Sequence, residues 1–318
     1  GSIILLLVII YSGIIYFLNR RLNRPVRELM LQMKAFAKGE NTPSTLHEKK
    51  DELGELAWSF RIMQQEIEQV RQQVYQEQQQ KEFIIASLSH DLKTPLTSIQ
   101  AYAEGLKNKE LSQQEQLNYI EVIGSKSEFM KQILDDLMMY TLLKSPSYTL
   151  HLVEVEGAEF FEMLMADYEQ VCREKGFSAS TFVQVDSMYD VNPKQLMRVV
   201  DNLVANAWHY TEPGGKINMS AFEPAMIPQK YPHWISSQLI KKTGVYIIIH
   251  NSGEAIPFEQ QEQLFEPLYQ LDQSRSQKGQ RGAGLGLSIA KQIIEKHGGR
   301  ISIASNKQQG TAVICWLP

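Results

Sequence analysis

The sequence predicts a multidomain chain: an all-α N-terminal half followed by an α/β sandwich. Three observations carry this. Residues 3–18 are almost wholly apolar and are followed at once by Arg20, Arg21, Arg24 and Arg27. Apolar side chains then recur in steps of three and four to about Leu143, the spacing of amphipathic helices. From Leu150 onward, helices around Phe160, Pro193 and Leu287 alternate with strands around Phe177, Ile217, Val245, Ile301 and Val313. With 318 residues, 43% of them hydrophobic, the chain is long enough for two or three modules and a sizeable core. Its net charge of -4 argues against a nucleic-acid surface. Cys172 and Cys315 stand apart without metal-ligand spacing, which reads as free buried thiols in a reducing cytoplasm.

The apolar start, with arginines on its C-terminal side, reads as a membrane span whose following chain is cytoplasmic. It falls short of the roughly 20 residues a span needs, and Gly1-Ser2 resembles a cloning remnant, so a truncated span over residues 1–18 is expected. A signal peptide and a buried core helix are the alternatives, although the charges follow the apolar run and no small-residue cleavage site comes after it. Pro25 opens an amphipathic helix, residues near 38–50 form a polar connector, and D-E-L-G-E-L at 51–56 opens a second helix. Two helices around a connector, with an early proline and this start to the second helix, resemble a HAMP linker; a generic coiled-coil stalk is the other reading. The resemblance implies a parallel four-helix bundle in a dimer. Residues 64–80 are glutamine-rich, yet Ile62, Ile67, Val70 and Val74 keep helical spacing, so the helix is expected to continue.

The string S-H-D-L-K-T-P-L at 89–96 lies on a helical stripe of Ile85, Leu88, Leu92, Pro95, Ile99, Tyr102 and Leu106. His90 is two residues from Leu88, about 200° round the helix, and therefore points outward. A neutral imidazole can have one nitrogen held by a carboxylate while the other attacks an electrophile. Asp91 is the candidate holder. Thr94, four residues on, shares the face of His90, where its hydroxyl can orient a water. Pro95 is expected to loosen the helix just beyond. The string resembles the phosphoacceptor box of the sensor histidine kinases, S-H-E/D-L-K/R-T/N-P-L, at every position. This helix is expected to end near Lys107, with a turn over 108–112 and a second helix to about Leu143. The second helix carries a stripe of Leu117, Ile120, Ile123, Met130, Ile133, Leu137 and Met138. One hairpin cannot hide two apolar faces, so two hairpins are expected to pair into a dimeric four-helix bundle. Ser145-Pro146-Ser147 then marks a hinge.

The resemblance implies a C-terminal ATP-binding domain of the gyrase, heat-shock-90, histidine kinase and MutL type, and five further stretches fit it. In residues 192–211, Asn192 is a ready N-cap and Pro193 suits the first turn. Leu196, Val199, Val200, Leu203, Val204 and Ala207 form a buried face, flanked by Asn202, Asn206 and His209. The stretch resembles the N-box, N-L-x-x-N-A-x-K-Y-T, which implies that Asn206 ligates magnesium, Asn202 supports the phosphates and Tyr210 borders the nucleotide. His209 replaces the commoner lysine. Residues 244–257 read as a strand ending in a turn and resemble the first glycine box, D-x-G-x-G-I, whose aspartate accepts a hydrogen bond from the adenine amino group. Here Asn251 replaces that aspartate, Gly253 is kept, and Ala255 replaces the second glycine. An amide oxygen accepts the same bond and the amide adds a donor. G-A-G-L-G-L at 282–287 matches the second glycine box in full, implicating Gly282, Gly284, Leu285, Gly286 and Leu287 in cradling phosphate at a helix N-terminus. Residues 263–269 resemble the F-box of a lid, and the polar residues 271–280 the lid itself, with Lys278 and Arg281 near the phosphates. Gly310-Thr311 resembles the last glycine motif.

Together these imply a membrane-bound sensor histidine kinase that uses ATP and Mg2+ to phosphorylate His90, with Asp91 orienting the imidazole, and passes the phosphoryl group to an aspartate of a response regulator. With Thr94 positioning water, dephosphorylation of that regulator is also implied. The expected division is 1–18 transmembrane helix, 19–72 HAMP linker and signalling helix, 73–148 dimerisation and phosphotransfer, and 149–318 catalytic ATP-binding domain. Expected partners are a second copy of the chain, a cognate response regulator and membrane lipid, with no nucleic acid. The departures at Asn251, Ala255 and His209 leave two alternatives: a degenerate, non-catalytic receptor, and a membrane-tethered ATPase of the same superfamily. Residues 223–243 read only as an extended connection between strands.

Overall fold

The computed structural model describes residues 1–39, 51–108, 111–227, 231–270 and 284–318. They divide into two compact units, Gly1–Phe83 and Ile84–Pro318. In the first unit α1 (Ser2–Leu18) passes through a π-helical turn (Asn19–Asn23) into α2 (Arg24–Ala37). The resulting helix Ser2–Ala37 is long and apolar enough to cross a membrane, and α1 buries none of its residues within the protein. Pro25 sits in the first turn of α2, where its missing N–H costs nothing at a helix start, although here the preceding turn is itself helical. The polar connector lies, from residue 40, outside the described residues. α3 (Glu52–Gly105) starts where expected: Asp51 Oδ1 accepts from Gly54 N at 3.0 Å. Leu29 and Phe60 are buried, and Phe36 packs edge-on against Phe60 with ring centres 6.1 Å apart.

In the second unit the C-terminal part of α3 pairs with α4 (Gln113–Lys144), whose start is fixed by reciprocal bonds between Ser112 and Glu115. Tyr102 and Tyr119 meet edge-on at 4.9 Å near the closed end of this hairpin. The stripe on α3 is phased one residue earlier at its start than the sequence suggests. Ile84 and Leu88 are buried, whereas Ile85 is exposed. On α4, Ile133, Met139, Tyr140 and Leu143 are buried, while Leu117, Ile120 and Met138 of the expected stripe are exposed. A single partner helix covers only one face, so the other apolar side chains, with Leu96 and Leu134, form a second face. Pro95 does not loosen the helix enough to interrupt it; α3 runs through it, and its ring is buried.

The α/β module is built on a five-stranded sheet in the order β2 (Ser178–Gln184), β4 (Lys216–Phe222), β5 (Val245–Asn251), β7 (Gly310–Leu317), β6 (Arg300–Asn306). Only β2 and β4 run parallel. A second, two-stranded sheet pairs β1 (Val153–Glu156) with β3 (Met188–Val191), two short strands that no sequence pattern announces. Helices α5 (Gly157–Glu174), α6 (Pro193–Tyr210) and α9 (Gly286–Lys296) share one core with Val245, Ile247 and Ile249. The alternate residues Tyr246 and Ile248 belong to a second core on the opposite face, as the two-residue period of a strand requires.

The connection between β4 and β5 supplies that second core. It contains the short helix α7 (His233–Ser236), with Ile235 fully buried, and Ile227, Tyr231, Trp234 and Leu239 packed around it. Tyr231 and Ser220 hydroxyls are hydrogen-bonded, Tyr246 Oη accepts from Lys241 N at 2.8 Å, and Trp316 Nε1 donates to Thr243 O at 2.7 Å. The segment is thus a cover for the outer sheet face and not merely an extended linker.

Candidate functional site

α6 positions the first half of the site. Its N-cap Asn192 accepts from Gln195 N at 3.0 Å, and its buried residues are the six that periodicity selects. Burying that face fixes the rotation of the helix and turns its amide-bearing flank toward a large cavity of about 1910 Å³. Asn202 and Asn206 line the cavity half-buried, while His209 and Tyr210 line it from the exposed end of the helix, their rings edge-on at 5.0 Å.

Asn202 has an incomplete hydrogen-bond complement: its Nδ2 is buried with no partner. Native buried donors are rarely left this way, because the desolvation cost goes uncompensated. A donor held dry in a cavity wall fits an anionic oxygen of a ligand. The start of α9 stands beside it, since a Cβ on Gly286 would come within 3.4 Å of the Asn202 amide. Gly284, Gly286 and Leu287 line the cavity with the helix N-terminus behind them. Leu285 instead points into the core at 1% exposure, so only its backbone is available to a ligand.

Gly284 adopts φ +75, and a Cβ there would lie 3.0 Å from Leu268 Cα. Leu268 N donates to Gly284 O at 3.0 Å and is itself left-handed at φ 67. The F-box-like stretch and the second glycine box therefore clasp each other at the cavity edge. α8 (Phe258–Gln261) and Leu264 lead into this clasp. Lys278, Arg281 and Gly282, and the lid residues 271–280, lie outside the described residues.

The sheet supplies the other wall. Asn251 ends β5, lines the cavity at 8% exposure, and is held in register between Ile217 of β4 and Thr311 of β7. Gly253 follows at a point of close approach: a Cβ would sit 2.6 Å from Tyr210 O and 3.1 Å from Asn251 Nδ2. Thr311 lines the cavity and shares a 2.7 Å hydrogen bond with Ser305. From the hairpin, α4 contributes Glu128, Phe129, Gln132 and Asp136 to the same cavity, which no motif in the sequence announces. Arg198 of α6 pairs with Asp136 at 3.0 Å and also donates to Asp135 O at 3.2 Å. Burial pushes the Asp136 carboxyl up, while the Arg198 guanidinium opposes that shift.

The second site is on α3. The His90 side chain is 81% exposed, and its Nδ1 lies 3.3 Å from Asp91 Oδ1. With Nδ1–H donated to that carboxylate, Nε2 carries the lone pair outward. Thr94 Oγ1 donates to His90 O at 3.5 Å, a contact weak enough to exchange for water. His90, Asp91 and Thr94 do not line the cavity.

A helical hairpin bearing a solvent-facing, carboxylate-held imidazole, on one chain with an α/β module whose cavity is ringed by amides and glycines, defines a histidine phosphotransfer protein with its own nucleotide-type domain. Family comparison agrees segment by segment. Residues 17–69 match the HAMP domain, 80–146 the His Kinase A (phospho-acceptor) domain, and 191–318 the histidine kinase-, DNA gyrase B- and HSP90-like ATPase. The chain belongs to the sensor histidine kinases. It is 27% identical over 307 residues to the histidine protein kinase SaeS of Staphylococcus aureus, covering 95% of this chain and 82% of that one. It is also 27% identical over 268 residues to the sensor histidine kinase YclK of Bacillus subtilis, covering 84% of this chain but only 53% of YclK, so it spans about half that relative's length. Among solved structures, histidine kinase ThkA in complex with the response regulator protein TrrA aligns with a TM-score of 0.54 at 25% identity, covering 73% of this chain and 60% of that one.

Proposed function

We propose that this protein is a membrane-bound sensor histidine kinase that transfers the terminal phosphoryl group of ATP to His90 and then to an aspartate of a cognate response regulator. The observation that carries the reading is the His90–Asp91 pair: an exposed imidazole with one nitrogen 3.3 Å from a carboxylate oxygen. In the transfer, Nε2 of His90 forms the bond to phosphorus as the bond to the bridging oxygen breaks and ADP leaves. Asp91 holds Nδ1–H, keeps the tautomer fixed and stabilises the cationic ring that forms. Asn202 donates its free Nδ2–H to phosphate, and the amides at the start of α9 offset the charge there.

Magnesium would supply charge neutralisation at the phosphates, with Asn206 as the protein ligand. The donor set fits: Asn206 lines the cavity half-buried, its amide oxygen is a hard ligand, and magnesium needs few protein groups when substrate oxygens and waters complete its shell. His209, Tyr210, Asn251, Gly253 and Thr311 would surround the remainder of the nucleotide, and Lys278, Arg281 and Gly282 would act from the lid. Thr94 would hold the water for regulator dephosphorylation. The second apolar face of the hairpin supports a homodimer. α1, which buries nothing, supports contact with membrane lipid, and the arginines that follow it, Arg20, Arg21, Arg24 and Arg27, support a cytoplasmic catalytic part.

Incubation with γ-labelled Mg-ATP tests this. Acid-labile label is expected on the wild type and absent from His90→Gln; label retained in His90→Gln would overturn the assignment.

A further inference from the structure

We propose that the nucleotide cavity accepts guanine as well as adenine, so that the chain takes up Mg-GTP alongside Mg-ATP. This rests on the reading that the cavity holds a purine nucleotide with its base at Asn251.

The residue at this position can do what a carboxylate cannot. Adenine offers an amino donor beside a ring-nitrogen acceptor, whereas guanine offers the O6 acceptor beside an N–H donor. A carboxylate only accepts, so it meets O6 with repulsion and leaves that oxygen unpaired in a dry site. The Asn251 amide carries an acceptor and a donor about as far apart as the paired groups on either base. One orientation matches adenine, and the orientation reversed about the last side-chain torsion matches guanine. That torsion is broad and roughly two-fold in energy, so reversal costs little.

The structure leaves the reversal open. The Asn251 backbone is locked between β4 and β7, so only the side chain can adapt, and among the described residues no side-chain hydrogen bond ties the amide to one orientation. Its cross-strand neighbour is equally two-faced. Thr311 Oγ1 lies 2.7 Å from Ser305 Oγ, and either can donate. Ser305 Oγ accepts from Ile256 N at 2.9 Å and has Gly310 O within 3.2 Å as a second outlet for its proton. When Ser305 donates to Gly310 O, Thr311 donates to Ser305 and accepts from a ligand. When Ser305 donates to Thr311, the Thr311 proton has, among the described residues, only the Glu254 carbonyl oxygen at 3.5 Å as a protein acceptor, a long contact that a ligand acceptor can replace. Both polar groups at this end of the cavity can therefore invert their polarity together. The remaining wall here, Ile249, Ile256, Ile303 and Val313, is apolar and offers area to either purine without choosing.

The test is calorimetric titration of the full chain in detergent micelles with the β,γ-imido analogues of ATP and GTP in the presence of Mg2+, for wild type and Asn251→Asp. The wild type is expected to bind the two within about tenfold of each other, and the aspartate variant to favour the adenine analogue by at least about a hundredfold. Adenine binding with guanine more than a hundredfold weaker in the wild type would overturn the proposal and leave the nucleotide reading standing. Binding of neither analogue would sink the underlying reading, and with it the proposal. Equal ratios in wild type and a folded Asn251→Asp would remove the assignment to Asn251. Should the variant fail to fold, the wild-type ratio decides alone.

Discussion

Truncating Asn202 to alanine should stabilise the empty protein and weaken its hold on nucleotide, a crossed outcome that few mutations give. The wild-type Nδ2 is buried without a partner. An unsatisfied buried donor costs about 1–3 kcal/mol, and removing it recovers part of that, less the packing lost against Gly286. A net gain of about 1 kcal/mol corresponds to a rise of roughly 2–4 °C in the melting point of a domain of this size. With nucleotide bound, the same donor meets a charged oxygen, a bond worth about 1.5–3 kcal/mol. Its loss should weaken affinity roughly ten- to hundredfold. Tryptophan fluorescence suits the thermal scan, because Trp208, Trp234 and Trp316 all lie in the α/β module and only Trp58 lies elsewhere. Titration with the imido analogue of ATP and Mg2+ gives the affinity. A variant that melts lower than wild type and binds nucleotide equally well would refute the reasoning.

Three other outcomes are expected. Gly253→Ala forces a methyl to within 2.6 Å of the Tyr210 carbonyl oxygen, so it should cost about 1–3 kcal/mol of stability and at least about tenfold in nucleotide affinity; unchanged calorimetric titrations would contradict the close approach. His250 and His297 are both held below the ordinary value of 6.5 by burial, so the unfolded chain takes up protons first as pH falls; their stabilisation is complete above 6.5 and is lost as pH drops through the folded values. Urea midpoints at pH 7.5 and 5.5 should therefore diverge, and less so in His297→Asn. Arg198→Ala leaves Asp136 desolvated without its partner and should loosen α4 by about 1–3 kcal/mol, below the figure for fully buried pairs because Arg198 keeps 30% exposure. Amide exchange over residues 133–143 should quicken, and the Arg198→Ala, Asp136→Ala double variant should recover part of the protection; exchange that stays at the wild-type rate in the single variant would show the pair to be inert.

Features set by local periodicity and capping were legible in the sequence. The buried face of α6, its Asn192 cap, the outward His90 and the starts of α3 and α4 all follow from spacing and side-chain chemistry within a turn or two. Features set by contacts distant in sequence were not. Whether Ile84 or Ile85 faces inward depends on where α4 lies, and both residues are apolar, so composition offers no choice. β1 and β3 are four residues each, and β1 is largely exposed, too little pattern for a strand assignment. The orphaned Asn202 donor exists only once the start of α9 packs beside α6, and the Arg198–Asp136 pair and the α4 wall of the cavity only once the hairpin and the α/β module pack. The covering role of residues 223–243 did leave a trace. Val245 to Ile249 is apolar without alternation, which a strand shows when both its faces are buried, so something had to lie over the second face.

Whether Nε2 of His90 is the phosphoryl acceptor is decided by peptide mass spectrometry under mildly alkaline conditions after exposure of the dimer to Mg-ATP. A phosphoryl group is expected on His90, lost on acidification and missing from Asn206→Ala. A dimer that demonstrably binds Mg-ATP yet leaves His90 unmodified would contradict it.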